Sequence, residues 1–109
     1  MTPEELIARQ LESYNAHDLE GFCACYAEDV ELYNQHEPEP YLSSKDALRE
    51  LYRQKFANAA LHAEIAARIA KGAFVIDRER VTGVGDSALD VVVIYEVAEG
   101  LIRRVSFIR

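Results

Sequence analysis

The sequence predicts an α+β fold, with helices in the first half of the chain and strands in the second. Up to residue 56, three segments carry apolar residues at helical spacing, each preceded by a capping residue. After Asn58, four segments rich in apolar and β-branched residues are separated by glycine-containing turns. Helices segregated from an antiparallel sheet define the α+β class. With 109 residues, half of them hydrophobic, we expect one domain, residues 1–109, with a substantial core.

The first two helices have clear start signals. Thr2-Pro3-Glu4-Glu5 offers a capping residue, a proline at the first helical position and the glutamate of a capping box. Asp18 is expected to cap a second helix whose apolar face reaches Tyr26. The alternating residues 30–34 then predict a short strand.

The third helix follows a loop over residues 35–43, in which Pro38 and Pro40 disfavour regular structure. Either Ser43 or Ser44 is expected to cap this helix. Its apolar face ends near Phe56.

Four strands are predicted at residues 61–70, 73–82, 88–97 and 101–108. The first contains four alanines, so a helix is the alternative; we assign a strand because its neighbours are strands. A strongly curved antiparallel sheet wrapped on a long helix would enclose a cone-shaped cavity. The predicted architecture is therefore a cone-shaped curved sheet packed on three N-terminal helices.

The strand at 88–97 is central to this arrangement. Alternation is nearly absent between Val91 and Tyr95, which predicts that both faces of this strand are covered. We expect the helices and a cavity on one face and a second subunit on the other. This predicts a homodimer formed through the outer face of the sheet.

The net charge and its distribution along the chain bear on the kind of partner. The net charge of −7 disfavours a nucleic-acid partner. The charge is uneven: 12 acidic and 3 basic residues precede position 51, and 7 acidic and 9 basic residues follow. The later half could receive an anionic group; the alternative is an acidic helical face that serves solubility.

No cofactor or metal is predicted. Cys23 and Cys25 have neither redox nor zinc spacing, and no two histidines lie four residues apart. Neither a signal peptide nor a membrane-spanning run is recognised, so a cytoplasmic protein without a membrane partner is expected.

Several segments resemble the nuclear transport factor 2-like superfamily, which includes ketosteroid isomerases, scytalone dehydratases and polyketide-cyclase-like proteins. They are Tyr14 to Phe22, Tyr26 to Val30, Leu51 to Gln54 and Ala88 to Val91, and together they span nearly the whole chain. Their order and spacing are typical of the fold. They do not indicate one activity, because this fold hosts many.

The resemblance also places the isomerase site on this sequence. The aspartate that moves the proton falls on Asn34, the oxyanion tyrosine near Gln10 and the oxyanion aspartic acid on Val93. None of these three residues matches the isomerase type, so whether the protein is an enzyme stays open. Tyr26 and Tyr52 could match the supporting tyrosines and orient a ligand; the alternative is a core role.

The remaining predicted cavity residues come from the same resemblance and from strand alternation. Phe74, Ile76, Val105 and Phe107 are expected to line the cavity. Arg78 and Arg80 are expected to face it, where an arginine would suit a carboxylate ligand, while Asp77 and Glu79 face outward. The alternative for these charges is cross-strand pairing.

His36 is the candidate for proton transfer, since a loop after residue 34 could cover the cavity mouth and histidine titrates near neutrality. The alternative is an exposed loop histidine.

Two functions are compatible with these observations. One is a protein that binds an apolar small molecule in a pocket and could also carry out cofactor-independent isomerase, dehydratase or cyclase chemistry. The other is a non-catalytic dimeric protein-interaction module.

Overall fold

A computed structural model, which describes all 109 residues, has three helices packed against one curved six-stranded sheet that does not close. The α+β class predicted from the sequence is confirmed. The elements in chain order are α1 (Pro3–Asn15), α2 (Leu19–Cys23), β1 (Tyr26–Asn34), β2 (Leu42–Ser43), α3 (Lys45–Phe56), β3 (His62–Lys71), β4 (Phe74–Thr82), β5 (Leu89–Ala98) and β6 (Leu101–Ile108). None of the helices is both long enough and apolar enough to cross a bilayer.

The helices begin where the capping signals placed them. Thr2 and Glu5 form both hydrogen bonds of a capping box, at 2.8 and 3.1 Å. Asp18 accepts from the backbone of Gly21, and Ser44 caps α3. These caps satisfy backbone donors that would otherwise lack partners.

The second helix is shorter than the sequence predicts. It ends at Cys23, and Tyr26 begins β1 instead of completing a helical face. The reason is backbone pairing, because Ile102 donates to the carbonyl of Cys25 and Tyr26 lies opposite Ile102. Tertiary pairing thus overrides a helical apolar spacing in this segment.

The sheet order is β2-β1-β6-β5-β4-β3. Strands β3 to β6 form the predicted antiparallel meander, so the helical alternative for residues 61–70 is excluded. The sheet is mixed rather than wholly antiparallel, because β1 runs parallel to β6. It is this parallel pair that brings the start of β1 under the helices.

The phase of β4 is opposite to the predicted one. Residues directly opposite each other in neighbouring strands share a face. Val75, Asp77 and Glu79 lie opposite Tyr95, Val93 and Val91, and all six side chains are buried on the inner face. The prediction that Phe74, Ile76, Arg78 and Arg80 face the cavity is therefore wrong, as is the outward placement of Asp77 and Glu79.

The sequence could not fix this phase because each alternative places one charged pair inside. Packing decides between the two orientations of β4. Val75 is fully buried on the inner face, and Arg68 on β3 donates a hydrogen bond to Asp77 on that face. On the outer face, the charge of Arg78 also has a partner, because Arg78 donates two hydrogen bonds to Asp90. Arg78 thus has the cross-strand partner that the alternative required, whereas Arg80 is exposed and has no carboxylate within 4.0 Å.

The helical layer is fixed to the sheet at the end of α1. The side chain of Asn15 donates to the carbonyl of Ala63 and accepts from its amide, both at 2.9 Å. His17 contacts the carbonyl of Leu61 at 2.7 Å. These contacts hold the end of α1 against the first strand of the meander.

Candidate functional site

A cavity of about 140 Å³ lies between the helices and the inner face of the sheet. Engineered apolar cavities of about 150 Å³ bind benzene, so this space accepts roughly one six-membered ring. The helices and β1 contribute Gln10, Leu11, Tyr14, Tyr26, Tyr52 and Lys55. Strands β4 to β6 contribute Glu79, Val81, Leu89, Val91, Val93, Tyr95 and Phe107. Residues outside the helices and strands contribute Tyr41, Leu61, Val84 and Arg109.

One side of the cavity is an aromatic cluster. The ring of Phe22, which is fully buried, packs against Tyr26 and Tyr52 with centroids 4.9 and 4.5 Å away. Tyr14 and Phe56 complete the cluster at 6.1 and 5.4 Å. Tilted and edge-on aromatic contacts of this kind hold the ring positions firmly.

Two polar pairs lie within this apolar surrounding. The Tyr26 hydroxyl donates to Oε1 of Gln10 at 2.9 Å, and the Tyr95 hydroxyl donates to Oε2 of Glu79 at 3.3 Å. Gln10 and Glu79 are only 4 and 9 % exposed. The cavity therefore combines an apolar wall with a few convergent polar groups, the usual form of a small-molecule site.

Glu79 has an altered acidity. Burial raises the pKa of its carboxyl to about 7, and the negative charge of Asp77 adds to this effect. The hydrogen bond from Tyr95 and the positive charge of Arg68 act in the opposite direction. Near neutral pH this carboxyl exchanges a proton readily, which is the property of a general base or acid.

Asp77 lies two residues away on the same face, but it is bound in a different way. Arg68 forms two hydrogen bonds with its carboxylate, at 2.6 and 2.8 Å, and Asp77 is only 1 % exposed. Such a bidentate pair occupies both oxygens of the carboxylate. Asp77 does not line the cavity, so Glu79 is the acidic residue of the cavity lining.

The cavity tyrosines are neutral hydrogen-bond donors. Burial is the main cause that raises the pKa of Tyr14 to about 12 and the pKa of Tyr26, Tyr52 and Tyr95 well above the ordinary value. The hydroxyls of Tyr14 and Tyr52 form no hydrogen bond with another protein group, and no fully buried side-chain nitrogen or oxygen lacks a partner. Both hydroxyls are therefore available to a ligand.

The cavity opens at a mouth where the exposed side chains of Tyr41, Val84 and Leu89 lie. Two cations, Lys55 and Arg109, also line this opening. Both residues are exposed. The mouth is thus positively charged, whereas the interior contains Glu79.

The structure brings part of the predicted site together. Tyr26, Tyr52, Val93 and Phe107 line the cavity, while Val105 is buried in the core beside it. Asn34 ends β1 outside the cavity lining and accepts a hydrogen bond from Arg109, which lies at the mouth.

The other predicted residues lie away from the cavity. Phe74, Ile76 and Arg78 are on the outer face of the sheet, as described above. The His36 side chain is 83 % exposed, 3.6 Å from Glu37, and does not line the cavity. A role for His36 in proton transfer stays a prediction.

Glu79 is the main residue that sequence reasoning missed. Val93, which the resemblance places in the site, shares the inner face of β5 with Val91 and Tyr95. Their pairing with β4 would have identified Glu79, but the sequence does not give the register between these strands. No group of three or more histidine, cysteine, aspartate or glutamate side chains is arranged to hold a metal ion.

Comparisons with known proteins agree with this fold. A search among proteins of curated function gives no match. An uncharacterised cystatin-fold protein from Novosphingobium aromaticivorans is 27 % identical, with a TM-score of 0.88 over 100 % of this chain and 99 % of that one. A ketosteroid isomerase-like protein from Kribbella flavida is 24 % identical, with a TM-score of 0.82 over 96 % of this chain and 75 % of that one.

A polyketide cyclase-like protein from Sinorhizobium meliloti is 15 % identical, with a TM-score of 0.81 over 99 % of this chain and 100 % of that one. At these two lower identities the likeness concerns the fold. The family model of the SnoaL-like domain matches residues 7–105, nearly the whole chain. The chain therefore belongs to the SnoaL-like domain family of the nuclear transport factor 2-like superfamily.

Proposed function

We propose that the protein binds an apolar, single-ring small molecule in its cavity and moves a proton on it without a cofactor. The observation that carries this proposal is the carboxyl of Glu79, which lies in an apolar cavity against the Tyr95 hydroxyl and has a pKa of about 7. A base with a pKa near the working pH is the most effective one. Isomerisation, dehydration and cyclisation all begin with such a proton transfer.

The tyrosine hydroxyls supply the second requirement of this chemistry. When a carbon next to a carbonyl loses a proton, negative charge develops on the carbonyl oxygen. Tyr14 and Tyr52 have hydroxyls that are free to donate to that oxygen. Because they are neutral at ordinary pH, they donate without adding charge to the cavity.

Cyclohex-3-enone is a suitable probe, because it is a single apolar ring and its conversion to cyclohex-2-enone is visible in the ultraviolet. Glu79 would take a proton from the carbon between the carbonyl and the double bond. The same carboxyl would return it to the far carbon of the resulting dienolate, so that the atoms balance. We expect the rate to rise with pH through about 7, because only the ionised carboxylate can accept the proton.

The decisive comparison is Glu79→Gln against His36→Asn. Removing a general base lowers rates by about 10² to 10⁴-fold, and we expect such a loss for Glu79→Gln. His36→Asn should keep the rate and its pH profile, because that side chain lies outside the cavity. Equal rates for Glu79→Gln and the unchanged protein would contradict the proposal, and a loss confined to His36→Asn would assign the proton transfer to the histidine.

A second candidate function is a dimeric interaction module, supported by the outer face of the sheet. Ile69, Ile76 and Ile94 lie in one cross-strand row on this face, with Val92 and Ile108 in the next. Ile69 and Ile108 are 64 and 44 % exposed. Exposed apolar stripes of this kind are typical of association surfaces.

The occupant that fits this outer stripe best is a second copy of the chain. The neighbouring Arg78 and Asp90 are both exposed, so a two-fold arrangement could place opposite charges against each other. Val92→Lys should convert a dimer into a folded monomer in sedimentation velocity, whereas Val84→Lys, at the cavity mouth, should not. A monomeric unchanged protein, or a dimer that survives Val92→Lys, would exclude this interface.

A further inference from the structure

We infer that the small molecule taken by the cavity carries a carboxylate, which Lys55 and Arg109 bind at the mouth while the apolar ring enters the cavity. This inference rests on the proposed function in one respect, since it needs the cavity to accept an apolar ring. It goes further by stating the charge of the ligand and its orientation.

The first argument is the lack of acidic partners at the mouth. Five of the twelve lysines and arginines have a carboxylate within 4.0 Å, namely Lys45, Arg49, Arg53, Arg68 and Arg78. Neither Lys55 nor Arg109 has a carboxylate of another residue within that distance. The protein carries 19 acidic residues, so two unpaired cations at one opening leave a local surplus of positive charge.

The second argument is that Arg109 is held in position. Its guanidinium carbon lies 4.7 Å from the ring centre of Phe107 and 5.8 Å from that of Tyr41. It also donates to Oδ1 of Asn34. Contacts with two rings and an amide reduce the mobility of a long side chain, so less entropy is lost when it binds an anion.

The third argument is that the two cations interact with each other. Lys55 packs over the Tyr52 ring, with Nζ 5.5 Å from the ring centre. Desolvation by the surrounding protein atoms lowers the pKa of Lys55, although its side chain is exposed at the mouth, and repulsion from Arg109 lowers this pKa further. A carboxylate placed between the two would relieve this repulsion and replace the missing acidic partner.

The orientation follows from the interior. The carboxyl of Glu79 would repel an anion that entered the cavity first, especially above pH 7. The apolar wall formed by Val91, Val93 and Phe107 instead favours the ring. The ring therefore lies inside and the carboxylate at the mouth, so the ligand class is an aromatic or alicyclic carboxylic acid with a short linker.

The test compares two probes of equal shape, 3-phenylpropanoate and the neutral 3-phenylpropanamide, by calorimetric or NMR titration. We expect the carboxylate to bind about tenfold more tightly than the amide. Added salt should weaken the binding of the carboxylate alone, because the mouth contacts are screened.

The double substitution Lys55→Gln with Arg109→Gln should abolish this preference and leave the affinity for the amide unchanged. Arg103→Gln is the matched control, because Arg103 is exposed, has no ion pair and does not line the cavity. Affinity for the amide shows that the double variant retains a folded cavity.

Each outcome separates the two proposals. Equal affinities for the two probes, or a preference that survives the double substitution, would overturn this inference and leave the proposed base Glu79 intact. If neither probe binds, the cavity does not accept a ring and both proposals fail. A carboxylate preference together with an unchanged isomerisation rate in Glu79→Gln would support the inference and contradict the proposed function.

Discussion

The two faces of β4 carry similar charged groups in different surroundings. On the inner face, Arg68 binds Asp77 through two hydrogen bonds, and Asp77 is 1 % exposed. On the outer face, Arg78 binds Asp90 with the same bidentate geometry, but more than half of each side chain is exposed. Water competes much less with the inner pair than with the outer one, so equal geometry does not mean equal energy.

The inner face also holds two buried acids that have different partners. Asp77 has an arginine partner, whereas Glu79 has only the Tyr95 hydroxyl. The carboxyl without a cationic partner has its pKa raised to about 7, chiefly by burial. One strand face thus holds a structural carboxylate and, two residues away, a carboxyl suited to proton transfer.

The largest expected effect comes from breaking the inner ion pair. Asp77→Asn should lower the free energy of unfolding by about 3 to 5 kcal/mol, because it leaves the largely buried Arg68 without its counterion. The matched change on the outer face, Asp90→Asn, should leave the urea midpoint almost unchanged. Urea unfolding of both variants measures the difference; equal losses would mean that burial does not distinguish the two faces.

A second prediction concerns the dependence of stability on pH. The folded state keeps a proton on Glu79 up to a pH of about 7, while the unfolded chain releases it near 4.5. Between these values the folded state binds more protons, so stability falls as the pH rises. A shift of this size corresponds to about 3 kcal/mol.

Glu79→Gln removes this dependence, because glutamine has no proton to release. Relative to the unchanged protein, the variant should gain about 3 kcal/mol of stability between pH 4 and pH 8. The outer-face control is Glu96→Gln, which should follow the pH profile of the unchanged protein. Parallel stability curves for Glu79→Gln and the unchanged protein would show that Glu79 does not titrate abnormally.

The comparison of the two faces of β4 also shows which features of the fold can be predicted from the sequence. The helix caps Thr2 and Asp18 were predictable because a capping side chain acts on its own neighbours, whereas for the third helix the sequence left Ser43 and Ser44 as alternatives. The meander was predictable because glycine-containing turns separate its strands. The resemblance placed Val93 in the site, and in the structure Val93 lines the cavity.

The phase of β4 was not predictable in this way. Its central residues, Asp77 to Arg80, offer an acidic pair to one face and a basic pair to the other, so polarity favours neither orientation. The choice depends on contacts distant in the chain, namely Arg68 on β3 and Tyr95 on β5. The candidate base was missed for this reason, since Glu79 becomes a cavity residue only through the register of three strands.

The smallest expected effects come from removing one side-chain hydrogen bond on each face of the sheet. Tyr95→Phe removes the donor that stabilises the ionised form of Glu79, so the pKa of Glu79 should rise further. The pH midpoint of cyclohexenone isomerisation should move upward, and stability at pH 8 should fall by about 1 to 2 kcal/mol. Tyr33→Phe, which removes the hydrogen bond from Tyr33 to Glu31 on the outer face, should change neither quantity. An unchanged midpoint in Tyr95→Phe would mean that the hydroxyl does not act on Glu79, and the acidity of this carboxyl would then depend on burial and Asp77.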